Sequence, residues 1–239
     1  IDQLEWIAHH TGLRYSAWCP TWDAGWVPYP GSNPVSQIGQ VFSGQAVLSR
    51  YPLSHARRHA LPQPSSRSTL TNLFYLHRAL LEVDVSLPSM LGGSIRVFNA
   101  HLEAFDAANR EAHAEITSAQ LRRSGDRVVL LGDMNSVPPE AEVRHAFEDE
   151  PQTDMRGDRT IEILRSTPGM LEVAGQTSST TDESLWHSFP AHAPNRRLDY
   201  LFHSETLRAV TSRVAQPSPP VSDHLPVIAD LETWNLSAD

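Results

Sequence analysis

Asp133 and Asn135, in the run Leu130-Leu-Gly-Asp-Met-Asn135, are the residues whose types and spacing most readily do chemistry. A carboxylate can bind a metal or polarise a water. An amide two residues on can donate to an anionic oxygen without adding repulsive charge. Gly-Asp-x-Asn is also ordinary turn composition, so the stretch gains weight only from its company. Three further polar stretches supply that company: Asn99-Ala-His101, Asp199 and Ser222-Asp223-His224. Together they could provide most of what hydrolysis of a phosphate ester needs. That is a charge-neutralising metal, a polarised water, and donors for the non-bridging and leaving oxygens.

His224 needs a partner to fix its tautomer before it can act as a base. Asp199 is the candidate, because a lone carboxylate in the apolar run Arg197-Leu-Asp-Tyr-Leu-Phe202 is costly unless paired. The plain alternatives are a solvated Asp223-His224 pair and a solvent-facing Asp199. His101 can bind or protonate a phosphate oxygen, or sit at the core edge bonded to backbone. With 12 histidines in the chain, a single one is weak evidence. His9, His10, His55, His59, His113, His145, His187 and His192 are assigned to the surface, and His77 is left open. Glu103, two residues past His101, supports it or the metal, or is solvated, the plainer reading. Arg78 faces an anionic substrate or makes a surface ion pair. Trp18, Trp22 and Trp26 form a substrate wall or pack in a loop.

These groups need rigid supports, and the chain offers strand ends. Arg127–Leu131 is a short β-branched and apolar run that ends at Gly132, where the backbone can turn. Arg78–Val85, Ile95–Leu102, Leu198–Phe202 and Leu225–Leu231 read as further strands, with another inside Gly44–Leu53. Asp106 can cap a helix from Ala107 to about Arg123. Ile1, Leu4, Ile7 and Ala8 predict an opening helix stopped at Gly12. Pro138-Pro139 predicts a helix through Phe147, and Thr160–Ser166 a short one. Trp18–Gln40 reads as a loop or irregular strands, and Pro62–Thr71 and Glu148–Ser184 read as loops. Several strands with few helices favour an α+β sandwich over a regular βαβ repeat.

The 239 residues suit one large domain with ample core. At 40% hydrophobic and 20% charged the composition is globular. A net charge of −9 works against non-specific binding to nucleic acid or anionic membrane. It does not exclude a phosphate substrate, since a bound cation inverts the local field. Cys19 is the sole cysteine, so no internal disulfide forms and the compartment stays open. No apolar run reaches membrane-spanning length.

Five stretches taken in order resemble the endonuclease/exonuclease/phosphatase superfamily of metal-dependent phosphoesterases. They are Gly44-Gln-Ala-Val-Leu-Ser-Arg-Tyr-Pro-Leu53, Phe98-Asn-Ala-His-Leu102, Leu131-Gly-Asp-Met-Asn135, Arg197-Leu-Asp-Tyr-Leu-Phe202 and Ser222-Asp-His-Leu-Pro-Val227. The resemblance implies a four-layer α/β/β/α sandwich of two mixed β-sheets packed face to face, with helices outside. It implies a Mg²⁺-dependent hydrolase, with Mn²⁺ as the alternative ion, that cleaves a phosphodiester or phosphomonoester by direct water attack. Asp133 and Asn135 would orient the water and contact the scissile phosphate. Asp223, with Asp133, would hold the metal. His224, paired with Asp199, would act as base or as an electrostatic clamp. His101 would stabilise the phosphate or the leaving oxygen; Arg78 stays a candidate for substrate binding from the residue reading alone. The alternatives are a nuclease of the same family, disfavoured by net charge, and a catalytically silent binding module. A monomer is expected.

Family members begin with a strand bearing an Asn and a second ending in Gln-Glu, whose Glu is a principal metal ligand. Ile1-Asp-Gln-Leu-Glu-Trp-Ile7 resembles the helix after that Glu, and Asp2 and Glu5 do not match the ligand. The expectation is one domain over residues 1–239 lacking its N-terminal strand or strands.

Overall fold

The computed structural model describes residues 2–25, 40–66, 75–88, 93–174, 176, 182–217, 219 and 221–233. Its framework is a six-stranded sheet. The strands are β3 (Leu53–Ala60), β4 (Ala79–Ser86), β5 (Ser94–His101), β6 (Val128–Asp133), β7 (Met170–Glu172) and β8 (Asp199–Ser204), in the order β3-β4-β5-β6-β8-β7. Only β5 and β6 run parallel, and α2 (Ala107–Leu121) makes the crossover between them. Asp106 caps this helix as expected, its side chain accepting from the Asn109 N–H at 2.9 Å.

The two faces of the sheet are covered differently. Leu80, Phe98, Ala100, Leu130, Tyr200 and Phe202 pack with Ala114 and Leu121 of α2 and with Ile161 and Leu164 of α3 (Thr160–Arg165). On the opposite face two antiparallel strand pairs lie against it. β1 (Tyr15–Ala24) and β2 (Val41–Ser49) meet β3, β4 and β5, where Cys19 and Val47 pack on Ala79 and Leu81. β9 (Leu207–Val214) and β10 (Val227–Thr233) meet β8. Burial on both faces explains why β4 reads as an almost continuous apolar run. This is the mixed α+β sandwich that the strand-rich pattern predicts. Helix α1 (Gln3–Thr11) forms where its spacing predicts, capped by Asp2 and stopped at Gly12, yet none of its residues is buried.

Of the two readings of the Trp-rich stretch, the irregular strand holds at Trp18 and Trp22, and other local expectations are corrected. Both tryptophans sit in β1, where pairing with β2 overrides the local Trp and Pro content, at the cost of a bulge between Pro20 and Trp22. Residues 26–39, with Trp26, lie outside the described residues, as does the 67–71 part of the second loop. No helix follows Pro138-Pro139. The second proline disfavours the helical region for the first, Ala146 adopts φ +51°, and Val137 and Phe147 anchor an irregular path against Met155 and Leu198. β3 was not anticipated, because its sequence is polar along an exposed sheet edge.

Candidate active site

The chemistry-bearing strand ends meet at one end of the six-stranded sheet. Parallel pairing sets His101 opposite Asp133, and antiparallel pairing sets Asp133 opposite Asp199. Three neighbours one strand apart therefore present side chains on the same face. Gly132 makes this approach close: a Cβ there would stand 1.9 Å from the Ala100 carbonyl oxygen, and its φ is +137°. Beyond the strand the chain is pinned on both sides. Leu102 N–H donates to the Asp133 carbonyl at 2.9 Å and Met134 N–H to the Leu198 carbonyl at 2.8 Å.

His224 arrives from the segment before β10. The Leu225 N–H donates to the Ser188 carbonyl at 2.7 Å, while Ser188 Oγ accepts from the N–H groups of Leu198 and Asp199 at 3.2 Å each. One serine thus ties the histidine loop to the start of β8. The Phe189 ring packs 4.7 Å from the imidazole, and the buried Arg196 guanidinium lies over Phe189 at 4.6 Å. Within the site, His224 Nδ1 is 2.6 Å from Asp199 Oδ2, and its Nε2 is 3.8 Å from Asp133 Oδ2. His101 Nε2 approaches the same Asp133 oxygen at 3.2 Å. Asp133 Oδ1 accepts the Asn135 N–H at 2.8 Å, and Asn135 adopts φ +50° while its Nδ2 donates to the Leu102 carbonyl at 3.1 Å.

The charges perturb one another. Burial and the neighbouring Asp199 push the Asp133 carboxyl up to about 7, against the pull of His224, the Asn135 N–H and Arg78. Burial would lower His224, but the Asp199 hydrogen bond and the charges of Asp199, Asp133 and Asp223 raise it overall. Burial and the positive charges of Arg78 and His224 lower His101, which is neutral at pH 7. A raised carboxyl beside a second carboxylate is where a cation relieves the largest repulsion. One ligand atom each from Asp133, Asp199 and His224 lies within 4.8 Å of the others, the only such trio of acid or imidazole groups among the described residues. Two carboxylate oxygens suit Mg²⁺ or Mn²⁺, whereas an imidazole nitrogen is the ligand of softer divalent ions. The carboxylates Asp133 and Asp199 therefore fit the metal that the resemblance implies, with Asp199 in place of Asp223 beside Asp133. Asp223 is exposed, bonded to Ser222 Oγ, and outside the trio.

Other residues depart from expectation. Arg78 is no surface residue: it is 8% exposed at the entry to β4, beside Asp133 and Glu103. Glu103 is not solvated but buried, accepting from Tyr75 OH and the Phe105 N–H. His113 is not at the surface either; it is enclosed between α2 and the Pro62 carbonyl, 2.7 Å from its Nε2. His203, for which no local pattern argues a role, is buried against Gln176. Asn99 reaches across to the Ala46 carbonyl at 3.0 Å and ties the layers together. Trp18 packs on Phe42 at the outer strand pair.

A family model for the Endonuclease/Exonuclease/phosphatase family matches residues 2–224. The chain belongs to that family. Its members include phosphatases and nucleases and are hydrolases, generally with a divalent metal. Solved structures share the fold. An endonuclease/exonuclease/phosphatase from Beutenbergia cavernae has a TM-score of 0.66 and 21% identity over 97% of this chain and 57% of its own. A mannosyl-6-phosphatase from Bacteroides thetaiotaomicron has a TM-score of 0.62 and 15% identity, covering 96% of this chain and 80% of its own. D. rerio TDP2, complexed with a single-strand DNA product, has a TM-score of 0.61 and 14% identity, covering 96% and 81%. This chain therefore spans little more than half of the first structure and about four fifths of the other two. No curated protein sequence matches it.

Proposed function

We propose that this family member is a divalent-metal-dependent phosphoesterase that hydrolyses a phosphodiester or phosphomonoester by direct attack of water. The observation that carries the reading is the meeting of Asp133, Asp199, His224 and His101, from separate parts of the chain, around one carboxylate oxygen. Such a set can hold a cation and the anion it neutralises. A bound Mg²⁺ or Mn²⁺, held by Asp133 and Asp199 with Asp223 completing the set, would neutralise phosphate charge and polarise water.

Asp133, fixed by the Asn135 N–H, orients the attacking water. Asp199 holds the His224 tautomer through Nδ1, leaving the Nε2 proton for a non-bridging oxygen. Neutral His101 offers Nε2 to the phosphate or the leaving oxygen. Arg78 supplies positive charge, and the Asn135 amide contacts the phosphate. No covalent nucleophile is used.

A net charge of −9 favours a small phosphate ester over nucleic acid as substrate. The test is hydrolysis of bis(p-nitrophenyl) phosphate with Mg²⁺ or Mn²⁺ and with chelator. Asp133→Asn and His224→Ala should each abolish turnover while the folded circular-dichroism spectrum persists. Full activity in both variants defeats the reading. Nicking of supercoiled plasmid with no turnover of small esters would select the nuclease instead.

A further inference from the structure

His224 rests on a hairpin that takes no direct part in the proposed chemistry. Residues 188–196 fold back so that Phe189 and Arg196 pair as an antiparallel bridge. The Phe189 N–H donates to the Arg196 carbonyl at 3.1 Å, and the Arg196 N–H to the Phe189 carbonyl at 3.2 Å. This hairpin grips the histidine segment on both sides. The Ala191 N–H donates to the Asp223 carbonyl and the Leu225 N–H to the Ser188 carbonyl, each at 2.7 Å. Between these two bonds the Phe189 ring meets the imidazole, centroid to centroid at 4.7 Å. The backbone bonds fix where residue 224 sits, and the ring limits how its side chain turns.

Arg196 braces that ring. Its guanidinium carbon lies 4.6 Å from the Phe189 centroid and 4.4 Å from that of the buried Phe147. Nη1 and Nη2 donate to the two Asp149 oxygens at 2.8 and 2.9 Å, and Nη2 also pairs with Glu150 at 2.9 Å. Asn195 Nδ2 donates to the same Asp149 at 2.7 Å. The Arg196 side chain is 1% exposed and its Nε makes no hydrogen bond, so its burial carries a desolvation cost. An aliphatic side chain would fill the space against two rings at lower cost. It could not hold a plane in one orientation. The fork to Asp149 fixes the guanidinium, and the guanidinium fixes the ring.

We propose that Arg196 is a positioning residue for His224, setting the Phe189 ring against which the imidazole packs. The inference rests on the proposed function, which puts His224 beside the substrate phosphate.

The test compares Arg196→Lys, Phe189→Leu and the double variant with the wild type. Lysine keeps a charge for Asp149 and Glu150 but has no plane to stack. Two measurements are made: kcat and KM for bis(p-nitrophenyl) phosphate, and the His224 ring-proton NMR signals at fixed pH, assigned by their loss in His224→Ala. Arg196→Lys should lower kcat roughly tenfold while KM stays within about twofold. It should also move the His224 signals toward their positions in Phe189→Leu, and have no further effect in the Phe189→Leu background. A merely structural arginine would lower Tm and leave the His224 signals of the folded protein in place. Unmoved His224 signals, an unchanged kcat, or multiplicative effects in the double variant overturn the proposal. If Arg196→Lys does not fold, Asp149→Asn, which keeps the arginine and weakens its anchor, should move the same signals by less; unmoved signals there reject the proposal. If the wild type hydrolyses no ester, the phosphoesterase reading fails, and the His224 signals alone decide this one.

Discussion

Gly132→Ala perturbs the site through its scaffold alone, and its cost follows from two terms. The first is conformational: φ +137° is glycine territory, and holding another residue there costs about 1–3 kcal/mol. The second is steric. The new Cβ would lie 1.9 Å from the Ala100 carbonyl oxygen, which is strand backbone and cannot rotate away. Relief requires β5 and β6 to separate locally, weakening about two ladder hydrogen bonds at about 1 kcal/mol each. The sum is about 3–5 kcal/mol, a large part of the stability of an ordinary domain. Urea unfolding followed by fluorescence of the buried Trp186 measures it. With m of about 3 kcal/mol per M, the midpoint should fall by about 1 M or more. Turnover should fall too, because Asp133 is the next residue. Two other glycines separate the terms. Gly125 has φ +80° and no neighbour within 4 Å, so Gly125→Ala should cost strain only, about 1 kcal/mol. Gly157 has neither a left-handed φ nor a neighbour within 4 Å, and Gly157→Ala should be silent. A Gly132→Ala midpoint no lower than that of Gly125→Ala, with activity intact, refutes the close strand approach.

Asp199→Asn should lower the raised His224 pKa, read by NMR titration of the imidazole, and reduce kcat on the order of 100-fold or more; an unchanged titration would show that the 2.6 Å contact is not made. Asp149, bonded to the buried Arg196, has its carboxyl lowered to about 2 by that hydrogen bond. Because the folded-state value lies below the unfolded one, this stabilisation is present above about pH 4 and is lost as pH falls through about 2. Asp149→Asn should therefore flatten the acid limb of stability in that window, and an unaltered limb counts against the pair. Tyr200→Phe, which deletes a buried hydroxyl 2.9 Å from the Ser136 carbonyl, should cost about 1 kcal/mol in urea unfolding while kcat changes little. A large kcat effect would give Tyr200 a role its burial does not suggest.

Much of the site was legible because its residues border apolar runs. Val128–Asp133 ends at a carboxylate and Asp199–Ser204 begins at one, and Asp106 announces α2 as a helix cap. Elements whose stability comes from neighbours were not legible. β3 is polar because one side of it faces solvent, and the Pro138-Pro139 segment is held by Phe147 and Leu198 rather than by its own periodicity. The burial of Glu103 and His113 likewise depends on chain far away in sequence, Tyr75 and the Pro62 carbonyl. No local pattern signals that the Glu103 carboxylate is buried.

The convergence of Asp133 and Asp199 on one cation is tested most directly by Mn²⁺ binding, followed by electron paramagnetic resonance, in the wild type, Asp133→Asn and Asp199→Asn. Saturable binding by the wild type, weakened about tenfold or more in each variant, is the expected result. No binding by the wild type, or equal binding by all three proteins, would contradict it.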